Sequence, residues 1–143
     1  MKKAFKIGYT QGVYDMFHIG HLNLINRAKQ QCDYLIVGVN SDALVQNYKN
    51  KTPVISEHDR KIIVENIKAV DRAIIVDSLD KSVLFKELHF DAIFIGDDWI
   101  DNPRWMQTKE IMAQKGVQVV FLPHTQGISS TILRTNEQEF IKE

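Results

Sequence analysis

The sequence predicts an α/β protein: a doubly wound, five-stranded parallel sheet with helices on both faces, in one domain spanning residues 1–143. Short apolar runs alternate with stretches of helical periodicity along the whole chain, which is the pattern of strands covered on both sides by crossover helices. At 143 residues the chain is long enough for one layered core and too short for two. Internal repeats and low-complexity tracts are absent.

The strands are expected at Phe5–Tyr9, Tyr34–Val39, Ala73–Val76, Ala92–Ile95 and Val117–Leu122. Helical patterns run between them at about His21–Gln30, Ser41–Val45, Glu57–Ile67, Lys81–Leu88 and Trp105–Lys115. The first helix carries Leu22, Ile25, Ala28 and Cys32 on one face. Ser56 followed by Asp59 fits a capping box for the third, with Ile62, Ile63, Ile67 and Val70 as its inward stripe. Asn102-Pro103 places a cap and then a proline at the start of the last of these helices, and Gly116 closes it. The polar, lysine-bearing stretch Gln46–Pro53 reads as flexible.

With 18 basic and 18 acidic residues the formal net charge is zero, so no nucleic-acid or anionic-membrane partner is expected. No apolar segment approaches the roughly 20 residues that span a bilayer, and Met1-Lys2-Lys3-Ala4 leads into a strand, so a cytoplasmic location is expected. Cys32 is the single cysteine and reads as a small buried hydrophobe.

Ligands of open parallel sheets sit beyond the carboxyl ends of the strands, so the residues there carry the functional reading. After strand one comes Gly12-Val13-Tyr14-Asp15-Met16-Phe17-His18-Ile19-Gly20-His21. A strand thus feeds a turn that feeds a helix, which puts free backbone N–H groups and the positive end of a dipole where an anion can sit. His18 and His21, three residues apart, share one helical side and can both donate to phosphate, with Gly20 keeping the backbone approachable. Zinc needs three or four ligands, and one cysteine without a His-Glu-x-x-His arrangement does not supply them, so no metal ligands are expected in the chain. Asn40-Ser41-Asp42 follow strand two, Gly96-Asp97-Asp98-Trp99 strand four, and Pro123 to Thr131 strand five. Gly127-Ile128-Ser129-Ser130-Thr131 opens a further helical pattern and forms a second anion cradle.

His18-Ile19-Gly20-His21 matches the HxGH motif of the nucleotidyltransferase superfamily, and the longer Gly-x-Tyr-Asp-x-x-His-x-Gly-His resembles its cytidylyltransferase branch. The same four letters occur in class I aminoacyl-tRNA synthetases, but those enzymes are far longer and carry a Lys-Met-Ser-Lys-Ser motif that is missing here. The late Gly-Ile-Ser-Ser-Thr resembles the Arg-Thr-x-Gly-Ile-Ser-Thr-Thr motif of cytidylyltransferases that act on glycerol phosphate, choline phosphate and ethanolamine phosphate. Gly96-Asp97-Asp98-Trp99 points to the glycerol-3-phosphate enzymes among them.

The resemblance implies a Rossmann-like homodimer that moves CMP from CTP to a phosphorylated alcohol, glycerol 3-phosphate first, with Mg²⁺ accompanying CTP. It assigns catalysis to His18, His21 and Lys51, the last preferred over Lys49, and nucleotide binding to Gly12, Val13, Tyr14, Asp15, Gly20, Asp42, Arg60, Asp97, His124, Thr125 and the Gly127–Thr131 cradle. Three positions depart from the family pattern. Val13 replaces a threonine and cannot donate a hydrogen bond; Ser130 keeps the hydroxyl of the threonine it replaces; His124 stands in for arginine and, largely neutral near pH 7, loses a permanent charge that Arg134 is placed to supply. Two further readings follow from the same residues: an adenylyltransferase acting on a sugar or flavin phosphate, and a catalytically weak module that senses CTP.

Overall fold

The computed structural model describes residues 3–125. The elements run β1 (Phe5–Gly12), α1 (Ile19–Gln30), β2 (Cys32–Asn40), α2 (Asp42–Lys49), α3 (Glu57–Glu65), β3 (Arg72–Val76), α4 (Lys81–Leu88), β4 (Ala92–Gly96), a 3₁₀ turn (Asp97–Trp99), α5 (Pro103–Gln114) and β5 (Gln118–Leu122). The five strands form one parallel sheet in the order β3-β2-β1-β4-β5, the doubly wound sheet that the alternating pattern predicts. Because the order reverses between β1 and β4, the crossovers leave in opposite directions there, and a crevice opens at the carboxyl ends of these two strands.

Successive strand residues face opposite sides, so the sheet has two apolar layers. On one side Leu35, Val37 and Val39 pack with Ile25 and Ala28 of α1 and Val64 of α3. On the other, Tyr9, Ile36 and Ile93 pack with Leu84 and Leu88 of α4 and Met112 of α5. Full burial of a side chain such as Ile25 contributes about 1.5–3 kcal/mol.

Three local readings change. Cys32 is buried, but it opens β2 instead of closing α1. Helix α2 extends to Lys49, so half of the stretch read as flexible is helical, and the αL conformation of Asn50 ends it. Ser56 Oγ accepts from the Asp59 amide as expected of the α3 cap. The inward face of α3 is nonetheless Arg60 and Val64, with Ile62 and Ile63 exposed at 41% and 39%. An Ile-Ile-Val run is apolar all round, so it leaves the helix rotation open; the buried bonds of Arg60 set it.

Candidate active site

The carboxyl ends of the strands surround an open cleft of about 660 Å³. Its centre is the β1–α1 turn. Tyr14 and Met16 hold φ of 56° and 51°, a left-handed conformation that costs a non-glycine residue energy and persists only where neighbours impose it. The neighbour is the α2–α3 loop. Asp15, 3% exposed, accepts from the amides of Val54 and Ile55 at 2.9 Å each, and an Arg60 Nη donates to the Val13 carbonyl at 2.7 Å. Gly12 lies beneath this turn, and a Cβ there would stand 3.1 Å from the Tyr14 ring, which would have to shift to admit it.

His18 is the N-cap of α1. Its Nδ1 accepts from the Gly20 amide at 3.0 Å, and its own amide donates to His21 Nδ1 at 3.2 Å, a reciprocal capping box made of two imidazoles. The rings stack with centroids 3.9 Å apart, and Tyr14 and Phe17 pack on His21 at 5.4 and 5.2 Å. Burial pulls both imidazoles below their ordinary range. His21 falls to about 4, with the charge of His18 adding to burial and that of Asp15 opposing it. Both rings are therefore neutral near pH 7, and with each Nδ1 occupied as an acceptor the proton sits on Nε2. Two uncharged N–H donors, fixed by backbone, result.

At the β4–β5 end, Gly96 admits the Asp98 carboxylate, whose Oδ1 a Cβ at position 96 would approach to 2.5 Å. His124 donates its amide to Asp97 Oδ1 at 3.3 Å and pairs with the same carboxylate through Nδ1. That hydrogen bond raises His124 above its ordinary range and lowers Asp97, a coupling between two strand ends that the sequence does not show. Thr125 Oγ1 accepts from Asn23 at 2.9 Å, tying the exit of β5 to α1. Asp97, Asp98 and His124 present possible ligand atoms within 4.8 Å of one another, a grouping the sequence reading did not find because its members come from two separate strand ends.

A family model described as cytidylyltransferase-like matches residues 9–136. This chain belongs to the cytidylyltransferase-like family. It is 35% identical over 135 residues to the glycerol-3-phosphate cytidylyltransferase of Bacillus spizizenii, covering 94% of this chain and 95% of that protein. It is also 33% identical over 132 residues to the bifunctional protein HldE of Caulobacter vibrioides, covering 92% of this chain and only 27% of the relative's length. Among solved structures, a lipopolysaccharide core biosynthesis protein from Thermoplasma volcanium aligns with a TM-score of 0.71 at 26% identity, over 85% of this chain and 97% of that one. Pantothenate synthetase from Thermus thermophilus shares the fold, with a TM-score of 0.62 at 18% identity over 93% of this chain and 64% of that one.

Within this cytidylyltransferase-like chain, Gly12, Val13, Tyr14 and Asp15 line the cleft with His18, Gly20 and His21. Lys51, His124 and Thr125 line it from the α2–α3 loop and from β5. Arg60, Asp42 and Asp97 do not. Arg60 is 0% exposed and spends four N–H donors on the carbonyls of Ile55, Val13 and Asn40 and on the Asp42 carboxylate, at 2.6–2.9 Å. It is a positioning residue that holds the walls, and Asp42, which also accepts from the Glu57 amide, is its counter-ion. Asp98 lines the cleft where Asp97 was expected, because Asp97 is turned to His124. The cradle Gly127, Ile128, Ser129, Ser130 and Thr131, and Arg134, lie outside the described residues.

Sequence reading missed Lys81, Arg104, Tyr48 and Trp105, which also line the cleft. Applying the strand-end rule to β3 as to the other four strands finds Lys81; nothing local finds Arg104. Among the described residues no helix is long and apolar enough to cross a membrane.

Proposed function

We propose that this chain transfers CMP from CTP to a phosphorylated alcohol, with glycerol 3-phosphate the first acceptor, and releases pyrophosphate. The observation that supports it is the imidazole pair of the HxGH turn, neutral and aimed by backbone hydrogen bonds. An acceptor phosphate oxygen attacks the α-phosphorus, the bond from that phosphorus to the bridging oxygen breaks, and pyrophosphate leaves with the electron pair. Negative charge grows on the phosphate oxygens during this displacement, so fixed N–H donors lower the barrier without having to reorganise. His18, His21 and Lys51 would grip the triphosphate. No nucleophilic side chain is required, since both reacting groups belong to the substrates.

Mg²⁺ is part of this proposal. It is held mainly by nucleotide oxygens and water and needs one or two carboxylates from protein. Asp98 fits that need: it faces the cleft, and no hydrogen bond or ion pair engages its carboxylate among the described residues. When bound, the ion neutralises charge on the triphosphate. The test is pyrophosphate release from CTP and from ATP across a panel of phosphorylated alcohols and sugars. Release with CTP and glycerol 3-phosphate supports the reading; release with ATP alone, or nucleotide binding without release for any acceptor, overturns it.

A further inference from the structure

Helix α1 carries the two imidazoles at its start and, within the next turns, a polar side that meets the exit of the edge strand β5. Ile25 and Ala28 are buried in the core and fix how the helix is turned. Asn23 and Arg27, four residues apart and so neighbours on the helix surface, then reach the chain just past β5. Arg27 Nη1 donates to the Pro123 carbonyl at 2.7 Å, and Asn23 Nδ2 donates to Thr125 Oγ1 at 2.9 Å. One helix thus fixes the place of the histidine pair and of Thr125 together.

The bond from Asn23 has a direction, and the direction has a chemical consequence. A hydroxyl has one proton and two lone pairs, whereas a carboxamide N–H can only donate. With a lone pair of Thr125 Oγ1 taken by Asn23, the hydroxyl proton is left for a different acceptor, and no described residue accepts it. Thr125 lines the cleft and Asn23 does not, so the amide stands behind the hydroxyl and the cleft lies in front of it. The histidine turn follows the same rule: a backbone amide on each Nδ1 leaves Nε2–H outward. Had the Asn23–Thr125 bond only to stitch α1 to β5, either polarity would serve, since a carboxylate at position 23 would accept from the same hydroxyl.

Resting on the reading of the chain as a nucleotidyltransferase, we propose that Asn23 is a positioning residue that sets the polarity of Thr125. By donating to Oγ1 it commits the Thr125 O–H to an acceptor oxygen of the bound nucleotide. Thr125 touches the ligand; Asn23 acts through it and touches nothing in the cleft.

The full chain and its Asn23→Asp, Thr125→Val and doubly substituted variants are titrated with CTP and with ATP, and each is melted. Asp has the shape of Asn but only accepts, so it keeps the stitch and consumes the proton. Asn23→Asp and Thr125→Val should each weaken the nucleotide about tenfold or more, with the melting temperature of Asn23→Asp unchanged. The double variant should bind within about twofold of Thr125→Val, because no hydroxyl is left to misdirect. Asn23→Ala, which deletes the donor without adding charge, repeats the comparison should the carboxylate disturb the helix; it too should weaken binding only while the hydroxyl is present. Thr125→Ser should retain binding. Unchanged binding in both Asn23 variants or in Thr125→Val overturns the assignment. So does a double variant whose loss is the product of the two single losses, which would mean that the carboxylate acts by repulsion alone, or no binding of either nucleotide by the unaltered chain. Pyrophosphate release is scored separately, so a failure of cytidylyl transfer leaves the coupling between positions 23 and 125 to be read on whichever nucleotide binds.

Discussion

Arg60 and Lys81 are the two buried cations among the described residues, at 0% and 8% exposure, and they differ in what surrounds them. Arg60 spends four N–H donors on three carbonyls and a carboxylate. Lys81 has one carbonyl and the face of an indole. Burying a charge is costly unless its donors are satisfied, so a saturated cation belongs to the fold, and an unsaturated one marks a place where something else completes the set. The imidazoles of His18 and His21 combine both conditions in single rings. Nδ1 is bound to backbone and belongs to the helix cap; Nε2–H is not used by the cap.

The largest effect is expected at the saturated cation. Arg60→Met orphans the carbonyls of Ile55, Val13 and Asn40 and should lower unfolding free energy by about 3 kcal/mol or more in urea or thermal melts. An unchanged melt with weakened CTP binding would instead put Arg60 against the ligand and erase the contrast. His18→Ala comes next. Turnover should fall about a hundredfold or more, as for other fixed transition-state donors, while loss of the cap costs only about 1 kcal/mol of stability. Near-normal turnover in that variant removes the imidazole from the reaction.

Lys81→Met should leave stability within about 1 kcal/mol of the unaltered chain or above it, because it deletes a poorly paired buried charge. The pH dependence sharpens this. A lysine whose folded value is lowered from 10.5 to about 8 is protonated more readily when unfolded, so its burial opposes folding below pH 8 and ceases to do so as pH rises towards 10.5. The stability difference between Lys81→Met and the unaltered chain should accordingly shrink across that window, and a constant difference would mean that the ammonium is well solvated.

The smallest effect is at His21. Its imidazole, lowered from 6.5 to about 4, contributes stability that is present above pH 6.5 and lost as pH falls towards 4, with His18 shifted in the same direction. Paired melts should show a shallower acid limb for His21→Asn than for the unaltered chain.

The histidine turn was legible because everything that makes it lies within a few residues. An apolar strand, a glycine, and two imidazoles three residues apart at a helix start define the local backbone and its cap. The stripe of α3 was misread for the opposite reason. Ile62 and Ile63 look like core by hydrophobicity, but the rotation of the helix is set by Arg60 bonding to residues as far as 47 positions away. The Asp97–His124 pair bridges 27 positions and raises an imidazole that the sequence shows without its neighbour.

By itself, the sequence determined the alternating sheet and helices and the strand–turn–helix that presents His18 and His21, since periodicity, capping and turn chemistry act between near neighbours along the chain. Only the tertiary structure decided which cations are spent and which are open. Saturation of a buried charge depends on carbonyls, carboxylates and rings delivered by other strand ends, and no local pattern specifies their arrival.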